Sequence, residues 1–414
     1  MTDPSSPHAV SSLSNHLFGE DSRLLTRVDR AIAELRLGRV ISLVGPSGAP
    51  EDRVLVAAID SASGDPLSHL RRETQAAARL VLTGRRAQVL GLEGSANAPG
   101  DKLDRDTVAL VDVPKAATHD DILWLADPCA PAPAEPPPEH ACTLVTGPEE
   151  TLNLAAVCLA RLARLLPAAL VAVAPLAESD PPPGAGAIAS PEDDASATPD
   201  QKISVRAEEV LAYQAVAARS LRLVSEAQVP LEGAEDARIL AFRPSDGGIE
   251  HLAILIGQPE PTQGPVLARL HSECFTGDLL GSLRCDCGDQ LRGAIQRLAK
   301  EGGGVLLYLA QEGRGIGLVN KLRAYRLQDQ GFDTVDANGQ LGFDDDERIY
   351  LPAVQMLNAL GIEAVRLLTN NPEKVAALAR HGITVAERVA HTFPSNPHNL
   401  RYLATKAQRS GHLF

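Results

Sequence analysis

Residues 271–291 read HSECFTGDLLGSLRCDCGDQL, and three of the six cysteines in the 414-residue chain fall inside this stretch, at Cys274, Cys285 and Cys287. Three thiolates are soft donors that suit zinc at tetrahedral angles. A structural zinc site takes four protein ligands, whereas three leave a position for water, which the metal can ionise near neutral pH. The residues alone leave two readings open: a catalytic zinc with one open corner, or a closed site completed by His271 or by a distant Cys129, Cys142 or Cys158. Cys158 lies among Ala and Leu on an expected helix and reads as an ordinary buried residue.

A second chemical stretch follows, LAQEGRGIGLVNKLRAYRLQDQG at 309–331. Glycines at 313, 315 and 317, between an expected strand and an expected helix, free backbone N–H groups at a positive dipole end, which suits phosphate or carboxylate. Arg314, Lys321 and Arg323 add positive charge for a polyanionic ligand, or else form a solvated helix face. Further on, ANGQLGFDDDERIYLP (337–352) places Asp346 and Arg348 two apart in a polar, irregular segment, where both side chains can meet one ligand. VRLLTNNPEKVAAL (365–378) reads as a buried strand, a polar turn with an N-cap and a helix begun by Pro372, with Thr369 and Lys374 at the strand end where ligands commonly bind.

These residues need elements to hold them. HLAILIG (251–257), VLARLHS (266–272) and GGVLLYLA (303–310) read as strands, and EEVLAYQAVAARSL (208–221) and DQLRGAIQRLAKEG (289–302) as helices. Ahead of them, LLTRVDRAIAELRLGR (24–39) and TLNLAAVCLARLARLL (151–166) are helical in period, with RVISLVG (39–45) and AALVAVA (168–174) as strands. The rhythm is α/β, mixed α+β, in two domains that each set helices on a sheet. Residues 178–200, ESDPPPGAGAIASPEDDASATPD, carry six acids, no base and many helix breakers, and DPCAPAPAEPPPEH (127–140) is dominated by Pro and Ala. The first of these is the expected boundary, giving 1–177, a disordered acidic linker at 178–205, and 206–414.

Composition narrows the classes. An aromatic share of 3% leaves little for base stacking, and a net charge of -14 is the wrong sign for a phosphate-backbone binder, so no nucleic acid is expected. The longest apolar run, LLPAALVAVAPLA (165–177), is too short for a membrane span. The opening MTDPSSPHAV lacks a signal-like pattern. A cytoplasmic protein is expected, in which clustered cysteines act as ligands or reactive thiols rather than bridges.

ARLHSECFTGDLLGSLRCDCGDQL, LAQEGRGIGLVNKLRAYRLQDQGFDTVDAN, QLGFDDDERIY, VRLLTNNPEKV and the closing NPHNLRYLATKAQRSGHLF together resemble the GTP cyclohydrolase II family, in order and spacing, over about 222–414. The resemblance implies hydrolysis of GTP to 2,5-diamino-6-(5-phosphoribosylamino)pyrimidin-4(3H)-one, formate and pyrophosphate, the first step of riboflavin biosynthesis. It implies one zinc ion on Cys274, Cys285 and Cys287, Mg2+ with the triphosphate, and a homodimer. It assigns GTP contacts to Arg269, Leu270, His271, Ser272, Glu273, Gln290, Glu312, Gly313, Arg314, Thr334, Thr369 and Lys374. Asp346 matches the proton acceptor, Arg348 the nucleophile toward the α-phosphorus, and Tyr325 an active-site tyrosine. Gly339 departs from the bulkier residue of many relatives. Alternatives are a variant that stops at the formamide or takes another purine, and a non-catalytic GTP-binding regulator with structural zinc.

TRVDRAIAELRLGRVISLVG, EDRVLVAAIDSA, LNLAAVCLARLARLLPAALVAV and EEVLAYQAVAA resemble parts of 3,4-dihydroxy-2-butanone-4-phosphate synthase. Where that family carries an acidic metal-binding loop, this chain has GPSGAPEDR, and the sugar-phosphate segment has no counterpart. The expectation is a degenerate, non-catalytic domain serving dimerisation or stability.

Overall fold

The computed structural model describes residues 7–49, 52–61, 64–92, 106–131, 142–144, 148–174, 202–409 and 411. Most of the expected linker, through residue 201, lies outside them, as does part of the Pro/Ala-rich stretch. The chain forms two compact units, Met1–Tyr213 with Asn338–Asp344, and Gln214–Ala337 with Asp345–Phe414. The architecture is mixed α/β, with one seven-stranded sheet in each unit.

The first unit holds β1 (Ile41–Val44), β2 (Arg53–Ala58), β3 (Arg79–Thr83), β4 (Val108–Asp112), β5 (Cys142–Leu144), β6 (Ala168–Val173) and β7 (Ser204–Arg206), ordered β5-β4-β3-β6-β2-β1-β7. Its helices are α1 (Pro7–Arg36), α2 (Pro66–Thr74), α3 (Gly84–Val89), α4 (His119–Ala126), α5 (Pro148–Leu162) and α6 (Ala207–Arg219), which runs past the unit boundary. α1 starts well before the expected residue 24. The helix starts carry their own caps: Asp65 accepts from Ser68 N ahead of Pro66, and Thr118 and Asp121 form a capping box for α4. Val28, Ile32 and Leu35 of α1 and Ala155, Ala156 and Leu159 of α5 share one aliphatic core with Ile41, Leu43 and Val56.

Two expectations change here. Ser204–Arg206, placed at the linker's end and the start of the next domain, pair in parallel with Ser42–Val44, so this unit extends to Tyr213. Residues 338–344 also belong to it. Thr83 Oγ1 donates to Gly342 O at 2.8 Å, and Arg86, 4% exposed, donates to the carbonyls of Leu125, Trp124 and Gln340. Arg85 pairs with Asp344. In the loop after β1, Asp52 accepts from both the N and Oγ of Ser47, so this carboxylate braces its own turn.

The second unit holds β8 (Arg222–Gln228), β9 (Arg238–Arg243), β10 (His251–Gly257), β11 (Val266–Ser272), β12 (Gly303–Leu309), β13 (Ala364–Leu368) and β14 (Thr384–Val389), ordered β14-β13-β11-β12-β10-β9-β8. Its helices are α7 (Cys287–Lys300), α8 (Gly317–Asp329), α9 (Thr334–Gln340, crossing into the first unit), α10 (Leu351–Ala359), α11 (Pro372–Arg380) and α12 (Leu400–Arg409). β11 is parallel to β12 and β13, and β13 to β14, while β12, β10, β9 and β8 pair antiparallel. The parallel strands VLARLHS and GGVLLYL are buried along nearly their whole length, as strands covered on both faces must be. Their carboxyl ends lie side by side, where an α/β sheet characteristically binds ligands. Among the described residues no helix is long and apolar enough to cross a membrane.

Candidate metal centre and active site

β11 ends at Ser272 and runs into a single π-helical turn, Phe275–Leu279, while α7 opens at Cys287. The Sγ atoms of Cys274, Cys285 and Cys287 all lie within 4.8 Å of one another, and Cys274 and Cys285 are 3.8 Å apart. Tetrahedral zinc with bonds of about 2.3 Å spaces its sulfurs about 3.8 Å apart, so the donor set fits such an ion. Among the described residues no fourth His, Cys, Asp or Glu joins this group. His271 is not part of the group, and its Nε2 lies 3.0 Å from both oxygens of Asp278. Asp278 also accepts from Cys274 N and Tyr308 OH, which fixes the ligand loop to the sheet.

Gly277 is what lets the sulfurs meet. A Cβ there would lie 2.8 Å from Cys285 Sγ, 2.9 Å from Cys287 Cβ and 3.1 Å from Cys274 Sγ. The thiols perturb one another. Hydrogen bonding from Cys285 and Cys287, and then Lys321, holds Cys274 far below the ordinary thiol range, while Cys274 pushes Cys285 up to about 11 and Cys287 well above its usual value.

β12 ends at Leu309 and enters the turn Glu312–Gly315, in which Gly313 (φ 64°) and Arg314 (φ 62°) are both left-handed. Arg314 is a non-glycine residue in that region, a strained geometry that clusters at functional sites. It is held there by Glu347 N donating to Arg314 O and by Arg314 Nη1 donating to Asp345 O. The polar segment expected around Asp346 and Arg348 therefore docks on the glycine turn. Arg348 donates to Asp346 through its backbone N and its side chain, and Nη1 reaches Ser272 Oγ at 3.4 Å. Burial opposes ionisation of Asp346, but Arg348 outweighs it and keeps the carboxyl below its usual range. Burial likewise opposes charge on Arg348, and Tyr350 and Asp346 reverse it, raising its pKa.

The remaining expected residues divide. Arg269, 5% exposed, spans Leu368 O and Gln290 Oε1 and so ties β11 to β13 and α7, while Lys374 on α11 donates to Leu270 O at 2.7 Å and ties α11 to β11. The Leu270 side chain is wholly buried in the aliphatic core, leaving its backbone as the part near the site. Glu273 N donates to Leu309 O, and Thr369 Oγ1 accepts from Asn371 N, the cap of α11. Tyr325 carries Arg284 over its ring at 5.0 Å, and burial pushes its hydroxyl up to about 12. Thr334 opens α9. It lines a cavity of about 230 Å³ with Arg284, Asp329, His398 and Tyr402.

Sequence reasoning missed Asp278, Tyr308 and Tyr350, whose isolated positions carry no motif. It read Lys321 as a charge for a polyanion, whereas its buried Nζ lies 3.2 Å from Cys274 Sγ. Three buried polar atoms here have no hydrogen-bond partner among the described residues: Arg269 Nε, His271 Nδ1 and Tyr350 OH. Buried polar groups are nearly always paired, and unpaired ones concentrate where a ligand completes them.

A two-domain 3,4-dihydroxy-2-butanone 4-phosphate synthase from A. baumannii is similar over 88% of this chain and 99% of its own, at 18% identity and a TM-score of 0.32. A second such synthase, in complex with two magnesium ions, gives 21% identity and a TM-score of 0.29 over 45% of this chain and 95% of its own. Likeness at that level carries no argument. The sequence profile described as GTP cyclohydrolase II matches residues 222–390. A GTP cyclohydrolase-2 of Escherichia fergusonii is 53% identical over 47% of this chain and 97% of its own. A GTP cyclohydrolase-2 of Azospirillum brasilense is 51% identical over 95% of both chains. With thiols, glycine turn and Asp346–Arg348 pair all inside the matched region, this chain belongs to the GTP cyclohydrolase II family.

Proposed function

We propose that Cys274, Cys285 and Cys287 hold a zinc ion and that GTP is hydrolysed there to 2,5-diamino-6-(5-phosphoribosylamino)pyrimidin-4(3H)-one, formate and pyrophosphate. GTP cyclohydrolase II activity in riboflavin biosynthesis follows from family membership; the zinc and the product set are the proposal. The observation that carries it is the trio of converging sulfurs, from buried Cys274 and Cys285 and half-buried Cys287, with no fourth side-chain ligand among the described residues, the donor count of a catalytic rather than a structural zinc site. Zinc bound there supplies Lewis acidity and a nucleophilic water at neutral pH.

The chain's own groups supply the rest. The left-handed turn at 313–315 turns N–H groups and the Arg314 cation toward an anion, and Mg2+ accompanies the triphosphate. Asp346 stays ionised and accepts a proton or hydrogen bond. An arginine nucleophile must first lose a proton, and the Asp346 pairing makes that loss harder. The geometry therefore favours Arg348 as a fixed cation that stabilises charge on the α-phosphate over Arg348 as nucleophile. Tyr325, kept protonated, remains a hydrogen-bond donor beside the thiols. Arg269, Lys374 and Thr369 hold the strand ends that shape the pocket. The first half is proposed to be non-catalytic.

Zinc-loaded full-length protein incubated with GTP and Mg2+ should release formate and pyrophosphate with the diaminopyrimidine, identified by mass spectrometry. Cys285→Ser should abolish formate release, and retained turnover by that variant contradicts the assignment.

A further inference from the structure

Lys321 sits on α8, two turns after the glycine-rich turn, and its side chain is 11% exposed. Its Nζ has three partners: Glu312 Oε1 at 2.8 Å, Thr276 Oγ1 at 3.0 Å and Cys274 Sγ at 3.2 Å. An ammonium has three hydrogens, so this side chain is fully committed. None of its donors is left for a phosphate.

Glu312 is committed as well. One oxygen accepts from Phe275 N at 2.6 Å, and the other accepts from Gly313 N at 2.8 Å and from Lys321. Its charge is thus shared by two backbone donors, and Lys321 is not needed to neutralise it alone. The two residues lock the loop of Cys274–Thr276 to the turn at Glu312–Gly315, joining the thiol cluster to the anion-binding turn by side-chain bonds.

Resting on the reading of the thiols as a metal centre, we propose that Lys321 is a positioning residue for that centre. Its ammonium donates to the Cys274 sulfur, orients it and offsets the excess negative charge of the three-thiolate site. The charge count motivates this. Three thiolates and a divalent ion sum to minus one, and the Lys321 ammonium, shared between Cys274 and Glu312, sets positive charge against that excess. A thiolate that accepts a hydrogen bond gives less electron density to its metal, which leaves the metal a stronger Lewis acid toward water and carbonyl oxygen. The competing account is a plain buried ion pair, in which Lys321 serves Glu312 and its nearness to sulfur is incidental.

Cobalt(II) loaded into the full-length protein separates these accounts, because its thiolate-to-metal charge-transfer band reports the donor strength of the sulfurs without any turnover. In Lys321→Met the band should move to longer wavelength, as the sulfur loses its hydrogen bond, and the metal affinity should fall about tenfold to hundredfold, the usual cost of removing a partner of a metal ligand. The double variant Glu312→Gln/Lys321→Met removes the ion pair as a unit and strands no buried charge, so it guards against simple misfolding. The band should remain displaced in the double variant. A band unmoved in Lys321→Met, or restored to the wild-type position in the double variant, overturns the proposal. Wild-type protein that binds no cobalt defeats the metal-centre reading itself, and this inference with it.

Discussion

Replacing Gly277 by alanine tests the thiol cluster without touching a ligand. The new Cβ would stand 2.8, 2.9 and 3.1 Å from Cys285 Sγ, Cys287 Cβ and Cys274 Sγ, where ordinary contact begins at 3.4 Å. Relieving the overlap requires the two sulfurs to give way by 0.6 Å and 0.3 Å along those directions. Metal–ligand distances tolerate only about 0.2 Å, so the donors cannot yield and still close on one ion. Overpacking of this kind costs about 1–3 kcal/mol, which at about 1.4 kcal/mol per decade is a loss of roughly fivefold to 150-fold in metal affinity. The assay is chelator competition on full-length protein, with metal content read per chain. Gly339→Ala is the matched control. It makes the same chemical change on α9, where nothing lies within 4 Å of the added carbon, and should leave metal affinity unchanged. Wild-type affinity in Gly277→Ala would show that the sulfurs do not converge on one ion, and the argument from their spacing would collapse.

Arg86→Met should destabilise the first unit by about 1–3 kcal/mol, since the buried Leu125 carbonyl loses its donor and the half-buried Trp124 and Gln340 carbonyls lose theirs. The single tryptophan, Trp124, lies in that unit, so its fluorescence in a urea titration reads the effect, and an unchanged midpoint would refute it. His391 gives a pH signature. Its ring is bonded to Gln290 O and packs edge-on against Phe393, and burial, followed by repulsion from Arg269, lowers its pKa to about 4. A histidine depressed on folding stabilises fully above its unfolded value of about 6.5 and loses that contribution as pH falls toward the folded value, up to about 3 kcal/mol in all. Unfolding midpoints should therefore drop between pH 6.5 and 4 in the wild type and less so in His391→Phe; parallel pH profiles for the two would rule out His391 as the source.

The sequence was most legible where chemistry and period coincide. Cys274, Cys285 and Cys287 stood out as a candidate soft-metal site because three thiols so close in sequence form a soft donor set. The strands ending at Ser272, Leu309 and Leu368 announced themselves as unbroken apolar runs, and their parallel pairing brings those ends together. What stayed hidden is non-local. Asp278, Tyr308 and Tyr350 matter through partners far along the chain or through a loop conformation, and no spacing rule encodes that. The segment 338–344 reads as part of the catalytic stretch yet belongs with Thr83 and Arg86. Only hydrogen bonds between residues more than 250 positions apart decide it.

Lys321, Arg269 and Lys374 show why cations near a polyanion's site are hard to assign from sequence. Each sits in the right stretch and each looks available for phosphate. In the fold, however, all three are buried, and each spends donors on protein acceptors. Lys374 spends a donor on Leu270 O, Arg269 on Leu368 O and Gln290, and Lys321 on sulfur and carboxylate. Arg314 and Arg348 instead lie in irregular backbone between elements, Arg314 bonded across to Asp345 O and Arg348 to Asp346 two residues before it. The cations of these stretches therefore divide into those bonded to strands and the thiol loop and those carried by irregular backbone, and residue type alone cannot separate them.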